Sequence, residues 1–229
     1  MNPEPPLRYV RVWDLPTRLF HWTLAAAVVG SVVTGQVGGN AMVWHTRLGL
    51  LVLALLAFRL VWGFVGGHWS RFASFLYGPR SVMGYLRGDD GPGGRYAIGH
   101  SPVGALSVWG LLGMLAVQVA TGLVADDEIA TTGPLNRFVS SAIADLASEW
   151  HEEVGKSLLI VLTIAHVAAV LYYLRRKRKN LIVPMVVGDA PLPAGTTASR
   201  DAAGTRLAAL VIVGAAAALA WWIGSLGNP

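Results

Sequence analysis

No charged side chain interrupts residues 103–125, VGALSVWGLLGMLAVQVATGLVA. A hydrocarbon core about 30 Å thick needs roughly 20 apolar residues as α-helix, so this run reads as a membrane span. Four further stretches have the same character: 18–36, 45–65 (interrupted by Arg59), 151–174 and 205–225. Helix is the only reading open to them, because an unclosed strand leaves its backbone groups unpaired in lipid. Composition agrees. Charged residues make up 14% of the chain, where a soluble domain carries about a quarter. The chain has no cysteine, which excludes disulfides, thiolate metal sites, iron–sulfur clusters and covalent haem attachment. A redox cofactor here would be held by histidine, methionine or non-covalent contacts.

With five spans, the N-terminus, the 66–102 loop and the 175–204 segment share one side. Of the 18 basic residues, only Arg47, Arg137 and Lys156 fall on the other side. That asymmetry makes the first side cytoplasmic, with the N-terminus inside and the C-terminus outside. It also accounts for the net charge of +5 without a nucleic-acid partner; the partner it implies is membrane lipid. The opposite side collects seven acids: Asp126, Asp127, Glu128, Asp145, Glu149, Glu152 and Glu153. The first span has a basic flank ahead of it, as a signal peptide would. Its length, His21 and the lack of a following soluble domain make it a retained helix.

Two connections carry expectations of their own. Residues 180–204 are rich in Pro, Gly and Ala and read as a linker, so the fifth helix is expected as an appendage to a four-helix core. In the 126–150 loop, Leu135, Phe138, Val139, Ala142, Ile143, Leu146 and Trp150 recur at helical spacing. They predict an amphipathic helix lying on the outer membrane surface.

Four of six histidines lie in or at the ends of the spans. His21 is near the inner start of the first, and His45 opens the second on the outer side. His151 opens the fourth on the outer side, and His166 follows 15 residues later on the same helix. Those 15 residues separate the last two by about 22 Å along the axis and by about 60° around it. Helix four therefore offers an imidazole near each membrane face, paired as His21 with His166 and His45 with His151. The inner depths match if helix four projects into the cytoplasm, since His166 lies farther from its basic flank than His21 does.

Two bis-histidine sites at two depths are what two stacked, non-covalent b haems require, and they suit electron transfer because no open iron position remains. Zinc fits poorly, because a structural zinc site needs about four converging ligands. The plainer reading is that His21, His45 and His151, each beside a tryptophan, are interfacial residues. His166, within an apolar helix, is a functional residue by default. Arginine suits bidentate pairing with haem propionates. Arg18 and Arg59 are placed toward the inner haem and Arg47 toward the outer one; snorkelling to the headgroups explains Arg59 equally well. Gly30, Gly35, Gly110 and Gly113 are candidates for close approach by a macrocycle or a helix. His68 and His100 read as loop residues, with a quinone pocket or a propionate contact as the other role. Trp13 suits the inner interface.

The stretches RVWDLPTRLFHWTL, HTRLGLLVLALLAFRLVWGFVGG, GHSPVGALSVWGLLGMLAVQVATGLVADDE and WHEEVGKSLLIVLTIAHVAAVL resemble the four helices of the bacterial cytochrome b-561 family, which includes the b-type subunits of nickel–iron hydrogenases. The resemblance implies an all-α integral membrane fold with a four-helix transmembrane haem-binding bundle over residues 1–180; beyond it, composition gives a cytoplasmic linker over 181–204 and a fifth C-terminal transmembrane helix over 205–229. It implies that His21, His45, His151 and His166 ligate two haem b groups in a bacterial inner-membrane protein. It further implies electron transfer between a periplasmic redox protein, hydrogenase-like or a c-type cytochrome, and membrane quinone. The fifth helix lies outside the family pattern and points to a partner such as a c-type cytochrome. Two other readings compete: a stand-alone quinone oxidoreductase with a small donor such as superoxide, and a non-redox transporter or assembly factor with incidental histidines.

Overall fold

The computed structural model describes residues 6–91, 94, 96, 98–127 and 131–227. Glu128 of the outer acids and Arg95 of the inner basic residues lie outside the described residues. The described chain is all-α apart from one two-stranded ladder. In order it forms β1 (Leu7–Arg11), α1 (Leu15–Val37), α2 (Met42–Val65), α3 (Pro79–Leu86), α4 (Pro102–Val124), α5 (Ser141–Glu149), a π-helical turn (Trp150–Gly155), α6 (Lys156–Arg175), α7 (Ile182–Val187), β2 (Asp189–Pro193) and α8 (Ala203–Ser225).

Among the described residues, five helical segments are long and apolar enough to cross a membrane: Leu15–Val37, Gly39–Val65, Pro102–Val124, Ser141–Arg175 and Ala203–Ser225. No more than 28% of the most apolar window of any of them is buried in protein. Side chains such as Val161, Ile164, Leu210 and Trp221 stand exposed on their outer faces, a surface that only lipid can cover without cost. The turn from α1 to α2 uses Gly38 and Gly39, with φ of 66° and 52°, a left-handed backbone that glycine adopts without strain.

The chain forms two compact units: residues 1–19, 60–109 and 166–210 in the first, and 20–59, 110–165 and 211–229 in the second. In the first, β1 pairs antiparallel with β2, from Leu7 opposite Pro193 to Arg11 opposite Asp189. Beneath the ladder, Val12, Trp13 and Trp69 form a small core with Ile98, Met185, Ala190 and Leu192 around it. Trp13, expected at the interface, is thus a core residue. Asp14 is fully buried. Its carboxyl accepts from the Thr17 N–H at 2.8 Å, Trp62 Nε1 at 3.1 Å, the Gly67 N–H at 3.0 Å and Ser70 Oγ at 2.6 Å. It caps α1 and ties that cap to the end of α2.

The stretch expected as a linker is folded in this unit. α7 stops at Gly188, whose φ is 94°, and a side chain there would press on Arg11 Nη1 and the Trp13 carbonyl. Ser199 donates to the Val12 carbonyl at 2.6 Å and accepts the Trp69 N–H at 3.2 Å. Asp201 pairs with Arg11 at 3.2 Å and Arg206 at 3.1 Å. Burial pushes the Asp201 carboxyl up, but its hydrogen bonds and the two guanidinium charges outweigh that and hold it below the ordinary range. β2 carries Pro191 and Pro193, which are tolerated where no ladder hydrogen bond is lost, as in an edge or two-stranded ribbon.

In the second unit one buried residue from each of four helices meets at the centre: Ala27 of α1, Val52 of α2, Leu115 of α4 and Leu159 of α6. Leu24, Val28, Leu48, Leu56, Leu111, Met114 and Val119 pack around them. The amphipathic helix expected on the membrane surface exists over Ser141–Glu149 but is not a separate element. It continues through the π turn into α6, giving an unbroken helical run from Ser141 to Arg175. No proline stands between residues 141 and 175, so nothing stops the helix there. A side chain on Gly224 of α8 would lie 2.7 Å from Leu50 of α2, so α8 approaches α2 closely at that point.

Candidate functional site

His45 lies in the first turn of α2 and His151 within the π turn, and the second unit brings them together. Their ring centres are 5.8 Å apart, with planes at 88°. Each ring is fixed through Nδ1: His45 Nδ1 lies 2.9 Å from the Ser31 carbonyl, and His151 Nδ1 lies 2.9 Å from the Gln118 carbonyl. A carbonyl only accepts, so both Nδ1 atoms carry the proton. Both Nε2 atoms then keep a lone pair for a metal. Two imidazoles bound through Nε2 to opposite sides of one metal ion, at ~2.0 Å per bond, have ring centres about 6 Å apart. The observed ring-centre spacing is close to that value.

Glycines shape the flanks of the pair. A side chain on Gly35 would come 3.1 Å from His45 Nδ1, and one on Gly122 only 2.6 Å from His151 Cε1. Of the four glycines singled out in the sequence, Gly30 also makes a close approach, to Leu48 at 2.9 Å, while Gly110 and Gly113 have nothing within 4 Å. Gly122 and Gln118 escaped notice. Their signal was present: a polar amide in an uncharged span, with a glycine four residues on along the same face.

The remaining predicted residues are placed as follows. His21 belongs to the second unit, with its ring edge-on to Trp22 at 5.0 Å. His166 lies on α6 and belongs to the first unit. Arg18 Nη1 donates to the Val186 carbonyl at 2.5 Å. Arg47 lies over the Trp44 ring at 5.0 Å, two residues from His45. Arg59 is only 5% exposed. His100 is held between Trp13 at 4.8 Å and Phe75 at 4.6 Å, as a packed loop residue. His68 Nδ1 is 3.4 Å from Arg71 Nη2. Among the described residues, no three of His, Cys, Asp and Glu are grouped to hold a metal ion.

The family model of the prokaryotic cytochrome b561 proteins matches residues 12–188. The chain belongs to that family. This cytochrome b561 is therefore a membrane b-type cytochrome of electron transfer, and the family implies b-type haem. The match covers all four helices that meet in the second unit and ends at Gly188, so β2 and α8 lie beyond it. Comparison with curated proteins gave no match.

Two acidic and aromatic features flank this picture. Asp126, Asp127, Asp145, Ser148, Glu149, Glu152 and Glu153 line a cavity of about 250 Å³ in the second unit. Gly63, Phe64, Arg71, Phe72, Ala73, Leu76 and Trp109 line one of about 440 Å³ in the first.

Proposed function

We propose that this cytochrome b561 holds two non-covalent b haems and relays electrons between a periplasmic redox protein and membrane quinone. The observation that carries the proposal is the His45–His151 pair, spaced for one iron with both Nε2 atoms free to bind. These two hold the outer group, with Arg47 close by for a propionate; His21 and His166 hold the inner one, with Arg18 and Arg59. A bound b haem would supply reversible one-electron chemistry at iron, and an imidazole pair holding it would leave no iron position for oxygen.

The π turn supports a shared axis along helix four. Bonding from i to i+5 inserts one residue into a turn, about 100° of rotation, and most of it falls after His151. It moves His166 from about 60° on one side of His151 to within about 40° on the other, so both can face one interior.

The chain's own charges favour a protein donor over superoxide. A wall of carboxylates beside the His151 turn raises the local concentration of basic partners and repels a small anion. At the inner side, the 440 Å³ cavity offers aromatic walls and the Arg71 guanidinium to a quinone ring. The localisation that follows is the bacterial inner membrane, N-terminus cytoplasmic and C-terminus periplasmic, supported by the distribution of basic residues.

The test is haem quantitation and reduced-minus-oxidised spectra on wild type and four His→Ala variants. His45→Ala and His151→Ala remove the same haem, and His21→Ala and His166→Ala the other. Loss of a common haem from His45→Ala and His166→Ala would refute the pairing, and a colourless wild type would refute the haem reading.

A further inference from the structure

Gln118 of α4 makes two contacts with a single residue. Its main-chain carbonyl accepts the Nδ1–H of His151 at 2.9 Å, and its side-chain Nε2 donates to the main-chain carbonyl of His151 at 2.8 Å. Thr121 Oγ1 stands 3.4 Å from the same Nδ1. The side-chain contact exists because Gly155, at the end of the π turn, has no Cβ. A methyl group there would overlap Gln118 Oε1 and lie 2.8 Å from Trp150 Nε1. The partner ligand is held differently: His45 has the Ser31 carbonyl at 2.9 Å and Gly35 at its flank.

An amide in an otherwise uncharged span is costly unless its groups are used. Here the Nε2 donor is spent on one histidine, at the turn where the helix departs from α geometry, while Oε1 is buried without a hydrogen-bond partner. π turns inside α-helices concentrate at functional sites. Ligand imidazoles are oriented and made more basic by a hydrogen bond at the second ring nitrogen.

We infer that Gln118 is a positioning residue for the outer haem: its two-point grip on His151, admitted by Gly155, fixes the ring rotation and the Nδ1–H tautomer that aim Nε2 at the iron. The inference rests on the assignment of His45 and His151 as a ligand pair. Only one of the two axial ligands of one haem depends on this amide, so its loss alters one haem and leaves the other as an internal control.

The test uses purified full-length protein carrying Gln118→Met, which keeps the side-chain length and removes the donor. Low-temperature EPR of the ferric protein and a redox titration read each haem separately. The expected result is two haems per chain, with a shifted and broadened low-spin signal and a moved midpoint only for the haem that His45→Ala removes. Gly155→Ala, which drives the amide off the His151 carbonyl while leaving Gln118 in place, gives the same one-haem signature. It serves as the deciding variant if Gln118→Met does not accumulate. Unchanged signals and midpoints for that haem in either variant overturn the positioning role and leave the haem assignment standing. Retention of both haems by His151→Ala overturns the assignment itself.

Discussion

Replacing Gly122 with alanine places a methyl group 2.6 Å from His151 Cε1 and 3.0 Å from Nδ1. Carbon atoms in contact sit about 3.5–4.0 Å apart, so the ring must retreat by roughly 1 Å. Metal–ligand bonds hold their lengths to about ±0.2 Å, several-fold less than that displacement. The backbone of α4 cannot absorb the strain, because the Gln118 carbonyl one turn earlier holds the same ring at 2.9 Å. Gly122→Ala is therefore expected to lose the outer haem and keep the inner one, falling from two haems to about one per chain. Gly35→Ala is the graded comparison. Its methyl group meets His45 at 3.1 Å, a displacement of only a few tenths of an ångström on the same scale, and it keeps both haems with a shifted outer spectrum. Pyridine haemochrome quantitation with redox titration reads both variants. A Gly122→Ala protein with two haems and wild-type midpoints refutes the reasoning that the glycine makes room for a ligand ring.

Asp14→Ala removes a helix cap worth about 1 kcal/mol and leaves the buried Gly67 N–H without its acceptor, at about 1–3 kcal/mol. With the Trp62 and Ser70 bonds lost too, a fall of about 3–5 kcal/mol is expected, read as a lower thermal midpoint in detergent; Asp14→Asn falls less, and an unchanged midpoint in Asp14→Ala refutes the hub. Asp201 is held below its ordinary 3.8, so its contribution is complete above that pH and fades as pH falls through the lowered value. The stability gap between wild type and Asp201→Asn should narrow as pH falls below 3.8; a gap that stays constant as pH falls below that value contradicts the ion-pair origin. Neutralising Asp145 and Glu149 should slow reduction by a basic redox protein and flatten its salt dependence; unchanged rates count against docking there.

Helix existence was legible because lipid imposes it: every span expected from apolar runs is present, with edges moved by a few residues except at the fourth, whose helix begins at Ser141 rather than 151. The proximity of His45 and His151 was legible for a related reason. Both fall at the ends of apolar runs that the sequence places on one side, and depth alone paired them. What the sequence concealed depends on partners far along the chain or on local departures from regular geometry. Tyr85 shows the first kind. Nothing near it in sequence announces the Tyr173 hydroxyl at 2.5 Å, yet burial and then that bond push its phenol up to about 12. The π turn shows the second: residues 150–155 read as the polar boundary between a surface helix and a span, and the same polarity marks a widened turn inside one helix.

The ladder of β1 and β2 has a consequence for synthesis. Val12, beside β1, receives its bond from Ser199, 187 residues later. At ~5–20 residues per second, the ribosome needs about 10–40 s to deliver that partner. Four spans enter the bilayer in the interval while the N-terminal strand waits unpaired. Closing the ladder is thus a late event that reports arrival of β2 and the Ser199 segment, and a chain truncated before residue 189 would carry an open strand edge exposed to other proteins.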